Sequence, residues 1–151
     1  MYYLGLDIGS SSVKVAIVDA ATGKNLASLH EPQNEMQIIS PQNDWAEQDP
    51  EIWWMHTCTA IKRIIRETGI EPSKISGIGV SYQMHGLVVV DSKGNPLRSS
   101  IIWCDSRAVE IGNRAFSELG ENKCMSHLLN SPANFTASKL KWVKDYEPEL
   151  Y

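Results

Sequence analysis

Three short stretches of this sequence bring together residue types that could do chemistry. The first is Asp7-Ile8-Gly9-Ser10-Ser11-Ser12-Val13-Lys14. Glycine lets a ligand approach the main chain, and serine hydroxyls with backbone N–H groups can cradle phosphate oxygens. Asp7 offers the carboxylate oxygen that Mg²⁺ prefers, directly or through water. Lys14 could supply positive charge to a phosphate. The same residues also make an ordinary hairpin turn, and a short glycine motif does not decide between the two. No Gly-Lys-Ser/Thr follows, and the pattern is not Gly-x-Gly-x-x-Gly. The second stretch is Gln83-Met84-His85-Gly86, polar residues between two apolar runs and so well placed for a ligand. His85 could bond a substrate hydroxyl or accept a proton, and a lone histidine is equally at home in a structural role. The third is Trp103-Cys104-Asp105-Ser106-Arg107. Its indole gives a ligand an apolar wall and its charged pair can orient hydroxyls. The competing reading makes Asp105 or Ser106 the N-cap of a helix.

The elements that must carry these stretches follow from periodicity. Tyr2 to Ile8 is an apolar run that reads as a buried strand. Val13, Val15 and Ile17 alternate with Lys14, Ala16 and Val18 in a second strand. Asp19 to Gly23 is a turn, and Asn25 to His30 a third, antiparallel strand. Asp49, Pro50 and Glu51 are N-cap, first residue and first-turn acid of a helix that should stop at Gly69. Trp53, Thr57, Ala60, Ile61, Ile64 and Ile65 form its buried face. Trp45, Trp53 and Trp54 are read as core and staple packing rather than a stacking surface.

Further on, Ile75 to Ser81 is a short strand leading into the second stretch. Leu87 to Val90 is another, followed by a turn at Asp91 to Leu97 like the one at Asp19. Ser100 to Trp103 is a strand, and Ala108 to Leu119 a helix ending at Gly120. A short helix is expected over Ser126 to Leu129. Another, capped by Thr136 or Ser138, should run through Trp142 to near Pro148. No linker or low-complexity tract marks an internal boundary.

The totals set limits. The chain has 151 residues, enough for a real core. Its 42% hydrophobic and 21% charged content are those of a globular protein. A net charge of −4 with no basic run argues against nucleic-acid binding. No apolar run is long enough to span a membrane, and the N-terminus lacks a secretory signal. Three widely spaced cysteines suit reduced thiols better than a disulfide framework or zinc site. A cytoplasmic location is expected.

Strand, Asp-x-Gly-Ser loop, strand and third strand resemble the opening of the actin-like (ribonuclease H-like) ATPase fold. With Gln83-Met84-His85-Gly86 and Trp103-x-Asp105-x-Arg107, the chain resembles the FGGY family of carbohydrate kinases. Trp45-Ala46-Glu47-Gln48-Asp49-Pro50-Glu51-x-Trp53-Trp54 is similar to that family's lead into its first helix. Phe135-Thr136-Ala137-Ser138-Lys139-Leu140-x-Trp142-Val143 is similar to a later segment. Gln-Met-His-Gly is most similar to the xylulose kinases, whereas Cys104 stands where these commonly have asparagine.

The resemblance implies an α/β fold with a mixed sheet and flanking helices, and transfer of the ATP γ-phosphate to a ketose, with D-xylulose the expected acceptor at O5. It implies Mg²⁺ and phosphate near Asp7, and the transferring phosphate near Gly9, Ser10, Ser11 and Lys14. Gln83, Met84 and His85 would contact the sugar, with Trp103 and Asp105 nearby. Alternatives are gluconate or another sugar as acceptor, a non-catalytic sugar-binding module such as a repressor domain, or a chaperone-type ATPase. The family's general base, an aspartate in a Gly-Asp-Asn type segment, is expected beyond residue 151, as are the adenosine-binding loops. The expectation is therefore the front part of a first actin-like domain, inactive alone, whose bare apolar faces promote dimerisation or other self-association.

Overall fold

A computed structural model describes all 151 residues, Met1–Tyr151. In chain order the elements are β1 (Tyr2–Ile8), β2 (Val13–Asp19), β3 (Asn25–Glu31), β4 (Glu47–Gln48), α1 (Pro50–Thr68), β5 (Ile75–Tyr82), β6 (Ser100–Ile101), α2 (Val109–Leu119), α3 (Glu121–His127) and α4 (Thr136–Tyr146). They divide into two compact units that interleave along the chain. One comprises Met1–Gln37 and Pro50–Gln83, the other Ile38–Asp49 and Met84–Tyr151. This interleaving is why no linker could be read from composition.

The first unit is a four-stranded sheet in the order β3-β2-β1-β5. β1 runs antiparallel to β2 and parallel to β5, so the sheet is mixed. Alternation in β1 and β2 sends Leu4, Leu6, Val15 and Ile17 to one face, where Ala60 and Ile64 of α1 cover them. Each such side chain, fully buried, contributes about 1.5–3 kcal/mol. α1 begins at Pro50, whose ring pre-sets the first helical turn, and ends at Thr68 before Gly69. Gly69 has φ +66°, the left-handed state that closes helices. Most of the expected face holds: Thr57, Ala60 and Ile64 are buried and Ile61 and Ile65 pack against the core, while Trp53 is only partly buried.

That face is incompletely covered. Ile78 and Val80 of β5 stand in register beside Leu4 and Leu6, yet they are 60% and 56% exposed, and Tyr82 is 70% exposed. α1 lies over β1, β2 and β3 and leaves the β5 row bare.

The second unit has less regular structure. The short pair β4 and β6 is antiparallel, and a core of Leu87, Ile101, Ala108, Trp142 and Val143 gathers around it. Leu87 to Val90 does not form the expected strand. It makes isolated bridges, Leu87 to Ile101 and Val90 to Pro96. The turn after it nonetheless matches the one after β2. Asp91 accepts from the Lys93 and Asn95 N–H groups, as Asp19 accepts from those of Ala21 and Thr22. The Asn95 side-chain amide, with the Asn95 and Lys93 N–H groups, holds the Asp91 carboxyl below the usual carboxylate range, and the Thr22 N–H and hydroxyl do the same for Asp19.

Cap expectations fared less well. α2 starts after Ala108 and α4 after Phe135, neither with a side-chain cap, so Asp105, Ser106, Thr136 and Ser138 are not N-caps. The short helix expected over Ser126 to Leu129 lies earlier, over Glu121–His127, directly after Gly120. Trp45 packs edge-on against Trp142, centroids 5.2 Å apart, as core packing, whereas Trp54 is exposed and not part of a core.

Candidate functional site

In the first unit the Asp-Gly-Ser stretch forms the hairpin between β1 and β2. The Gly9 N–H donates to the Ser12 carbonyl at 3.1 Å, and the Met36 N–H donates to the Ser11 carbonyl at 2.9 Å. A Cβ at Gly9 would stand 3.1 Å from the Ser12 oxygen, tight enough that the turn would have to give by a few tenths of an ångström. The hairpin reading is thus realised, and a tight, backbone-rich turn is also what an anion needs.

Asp7 and Lys14 are register partners across β1 and β2, on the face opposite Leu6 and Val15. Lys14 Nζ lies 3.0 Å from Asp7 Oδ2, both side chains about half exposed. Ser81 of β5 is the partner of Asp7 on its other side. No group of three or more His, Cys, Asp or Glu is placed to hold a metal. Asp7 alone suits a cation that keeps most of its waters and shares phosphate oxygens, as Mg²⁺ does.

β5 runs past this point to Gln83. The Gln83 N–H donates to the Ile8 carbonyl at 3.0 Å, which ties the start of the second stretch to the end of β1. The Gln83 side-chain amide is buried, and neither its oxygen nor its nitrogen has a hydrogen-bond partner. An unpaired buried amide costs about 1–3 kcal/mol, so a partner supplied by a ligand would be worth having.

In the second unit Met84 is 70% exposed and Trp103 50% exposed. Between them in sequence, His85 is half-buried with φ 61°. Its ring stacks on Phe135, centroids 4.6 Å apart and planes 7° from parallel. Its carbonyl accepts from Lys139 Nζ at 2.8 Å, and the next carbonyl, of Gly86, accepts from Thr136 Oγ1 at 3.1 Å. Lys139 also donates to the Asn134 carbonyl, at 3.1 Å, and the Asn134 side-chain amide donates to the Trp103 carbonyl. Lys139 itself has no exposed surface. Burial pushes its ammonium down to about 8, against the pull of Asp105 and Cys104.

Asp105 is fully buried. Its carboxylate accepts the Ala46 N–H at 2.6 Å, the Arg107 N–H at 2.9 Å and the Arg107 guanidinium at 2.7–3.0 Å. The Arg107 guanidinium lies over Trp45 and beside Trp142, 3.8 and 5.0 Å from their centroids, and bonds Glu47 at 2.7 Å. Arg98 joins Glu47 to Glu147. So the Asp105–Arg107 pair, read from sequence as an orienter of hydroxyls, spends its bonds inside the protein.

An apolar groove of 440 Å³ in the same unit, walled by Ile111, Leu119, Leu128 and Phe135, includes none of Met84, His85, Trp103 or Asp105.

Each unit thus holds its own share of the candidate residues. Asp7, Gly9, Ser10, Ser11 and Lys14 fall around one hairpin, and Gln83 ends that unit. Met84, His85, Trp103 and Asp105 belong to the other unit. Sequence reasoning missed Asn134, Thr136 and Lys139 as partners of the His85 segment. Thr136 and Lys139 lay in the family-like run, Thr136 read only as a helix cap, and Asn134 carried no signal.

Comparison with known proteins places this arrangement. The model of the FGGY family of carbohydrate kinases, N-terminal domain, matches residues 2–151. A xylulose kinase of Bacillus subtilis (strain 168) is 34% identical over 99% of this chain and 29% of its own length. One of Escherichia coli (strain K12) is 32% identical over 99% of this chain and 29% of its own. A crystal structure described as a xyloylose kinase from Brucella ovis superposes with a TM-score of 0.87 at 33% identity, over 99% of this chain and 30% of that one. The chain therefore spans under a third of the length of these relatives. Its fold is theirs, an α/β actin-like ATPase fold with a mixed sheet and flanking helices. The chain belongs to the FGGY family of carbohydrate kinases, whose N-terminal-domain model is the one that matches it.

Proposed function

We propose that this chain is the phosphate-loop and sugar-contacting part of an ATP-dependent ketose kinase that converts D-xylulose to D-xylulose 5-phosphate. Similarity to xylulose kinases at 32–36% identity supports the substrate class. The observation that carries the reading is Gln83. Its amide has no partner in the protein, so turning it outward beside Met84 and His85 breaks no bond and lets it donate to one sugar hydroxyl while accepting from another. Met84 and Trp103 are the apolar walls, and His85 a hydroxyl contact. Asp105 acts from behind, anchoring the Trp103 segment through Arg107 and Ala46.

Around the hairpin, Gly9, Ser10 and Ser11 receive the transferring phosphate and Lys14 balances its charge. Asp7 would hold the hydrated cation in place of its bond to Lys14. When bound, Mg²⁺ spreads and neutralises the charge that builds on the phosphate oxygens. The general base and the adenosine contacts are assigned to the rest of a longer polypeptide, so this chain alone is expected to be inactive. As an ATP consumer the enzyme would work in the cytoplasm.

The test is sugar-dependent ADP release by a polypeptide extending this chain to the length of its relatives, with D-xylulose, gluconate and no sugar. Turnover with D-xylulose by the long protein and none by the short one is expected. Turnover by the short chain would mean that the base lies among Asp7, His85 and Asp105. A preference for gluconate would favour the second reading, which a gluconate kinase structure from Lactobacillus acidophilus at TM-score 0.82 and 26% identity keeps in play.

The bare Ile78, Val80 and Tyr82 row lies on β5, which pairs only with β1 and so leaves an open strand edge in its sheet. An open edge beside exposed apolar side chains is a template for a second copy. We propose that the isolated chain dimerises there. A monodisperse monomer at high concentration in light scattering would sink this.

A further inference from the structure

Two of the contacts assigned to the sugar, His85 and Trp103, share an unusual feature with Gly86. His85, Gly86 and Trp103 are each held by the backbone carbonyl, and the donors come from one short run. Lys139 Nζ holds the His85 carbonyl, Thr136 Oγ1 the Gly86 carbonyl, and the Asn134 amide the Trp103 carbonyl. Lys139 also grips the Asn134 carbonyl, so the three donors form one connected frame. Phe135, inside the same run, supplies the plane on which the imidazole lies.

We propose that Lys139, with Asn134 and Thr136, is a positioning residue for sugar binding: it fixes the backbone from which His85 and Trp103 present their side chains. The inference rests on the sugar-kinase reading above for its ligand and on geometry for the frame.

Three observations single out Lys139. It is a fully buried lysine whose two hydrogen-bond acceptors are both backbone carbonyls. A buried ammonium without a bonded carboxylate is a poor way to gain stability, since an apolar side chain of similar volume does as well. It is a good way to hold carbonyls, because a charged donor bonds them more strongly than a neutral one. The second observation is that His85 has φ 61°, a state a histidine keeps only where its surroundings impose it. The bond to Lys139 falls on that residue's own carbonyl. The third is that Asn134, next in the frame, has a buried side-chain oxygen without a partner, so its amide is oriented by the bond to Trp103.

The experiment uses the 151-residue chain with labelled histidine and backbone amides, and D-xylulose as the probe. In the unaltered chain the stacked Phe135 ring shifts the His85 ring signals away from free-imidazole positions. Lys139→Met keeps an unbranched side chain one atom shorter and removes the donor. It should return those signals toward free imidazole and weaken D-xylulose binding about ten-fold or more, with the amide signals of β1, β2 and β3 unchanged. Thr136→Val removes a single neutral bond at an exposed position and should weaken binding about three-fold. It decides the matter if Lys139→Met does not fold.

A lysine serving only stability would lower the melting temperature and leave the His85 signals and the D-xylulose affinity at low temperature where they were. That result in the folded variants overturns the proposal. If the unaltered chain binds no D-xylulose, yet the His85 signals still move in Lys139→Met, the sugar reading fails and the frame stands. If D-xylulose binds equally well to all three proteins, the sugar reading stands and the frame is excluded.

Discussion

The two units solve the problem of presenting functional residues in opposite ways. In the first, strand alternation does the positioning. Leu6 and Val15 point into the core, so Asp7 and Lys14 must point out of it, side by side in register. A tight hairpin then puts Gly9 to Ser12 at the sheet's end. In the second unit the candidate contacts lie outside regular strands, and buried polar bonds hold the chain in place. Asp105, Arg107, Glu47 and Arg98 form one network, and Asn134, Thr136 and Lys139 form another. Periodic apolar burial tolerates many sequences, whereas a buried polar network fails when one member is lost.

This contrast can be broken at its strongest point first. Arg107→Met would leave Asp105 and Glu47 buried without their shared cation. It should destabilise the second unit by about 3–5 kcal/mol, read as a lower denaturant midpoint for the amides of α2 and α4. A loss within experimental error would mean the network is not what holds that unit. Its counterpart in the first unit is Ile64→Ala, which empties a fully buried site against Leu4 and Ile17. There the expected cost is about 2–5 kcal/mol, and the structure should relax partly into the cavity.

A steric test sharpens the same point. Gly112 of α2 packs so closely on the 132–134 turn that a Cβ would sit 2.3 Å from the Ala133 Cα. Gly112→Ala must push that turn away, and the turn leads directly into the frame around His85. Loss of the His85–Phe135 stacking signal is expected, and its persistence would show that the frame does not depend on α2.

A pH effect separates the units further. The Lys139 ammonium loses its proton at about 8 in the folded chain, against an ordinary value of 10.5. Between these values the unfolded chain holds a proton the folded chain has released, so stability rises with pH. Compared at each pH with Lys139→Met, the unaltered chain should gain stability from pH 8 toward 10.5. A constant difference across that window would contradict the assignment.

The smallest expected effect on stability lies in the first unit. The Asp7–Lys14 pair is half exposed, so Lys14→Met should cost no more than about 0.2–1 kcal/mol. Asp7→Asn in an active long form should instead lower kcat, by about 10²-fold, and leave the sugar KM unchanged. A changed KM with unchanged kcat would remove Asp7 from the phosphate.

How much of this was legible in the sequence follows the same division. Val13, Val15 and Ile17 alternate, and Pro50 and Gly69 punctuate a helix, so β1, β2, β3, α1 and β5 could be read nearly to the residue. Such signals are local. The Leu87 to Val90 run has the apolar character of a strand, yet it meets the chain only at isolated bridges. What it pairs with is set by distant residues. Asp105 looked like a cap or a substrate contact because short-range pattern cannot show that Ala46, 59 positions away, claims one of its oxygens. Lys139 was invisible as a site residue for a related reason. It acts on main-chain carbonyls 54 and 5 positions away, and carbonyls carry no sequence signature.

The most direct test of the whole account is a map of backbone amide shifts in this chain on adding D-xylulose and, separately, Mg²⁺-ATP. D-xylulose should move Gln83, Met84, His85 and Trp103 and leave Gly9 to Ser12 alone. Mg²⁺-ATP should move Asp7 to Lys14 and leave Trp103 alone. If D-xylulose leaves the Gln83 to His85 and Trp103 signals where they are, even at saturating concentration, this chain does not hold the sugar contacts, and the assignment of sugar binding to these residues is wrong.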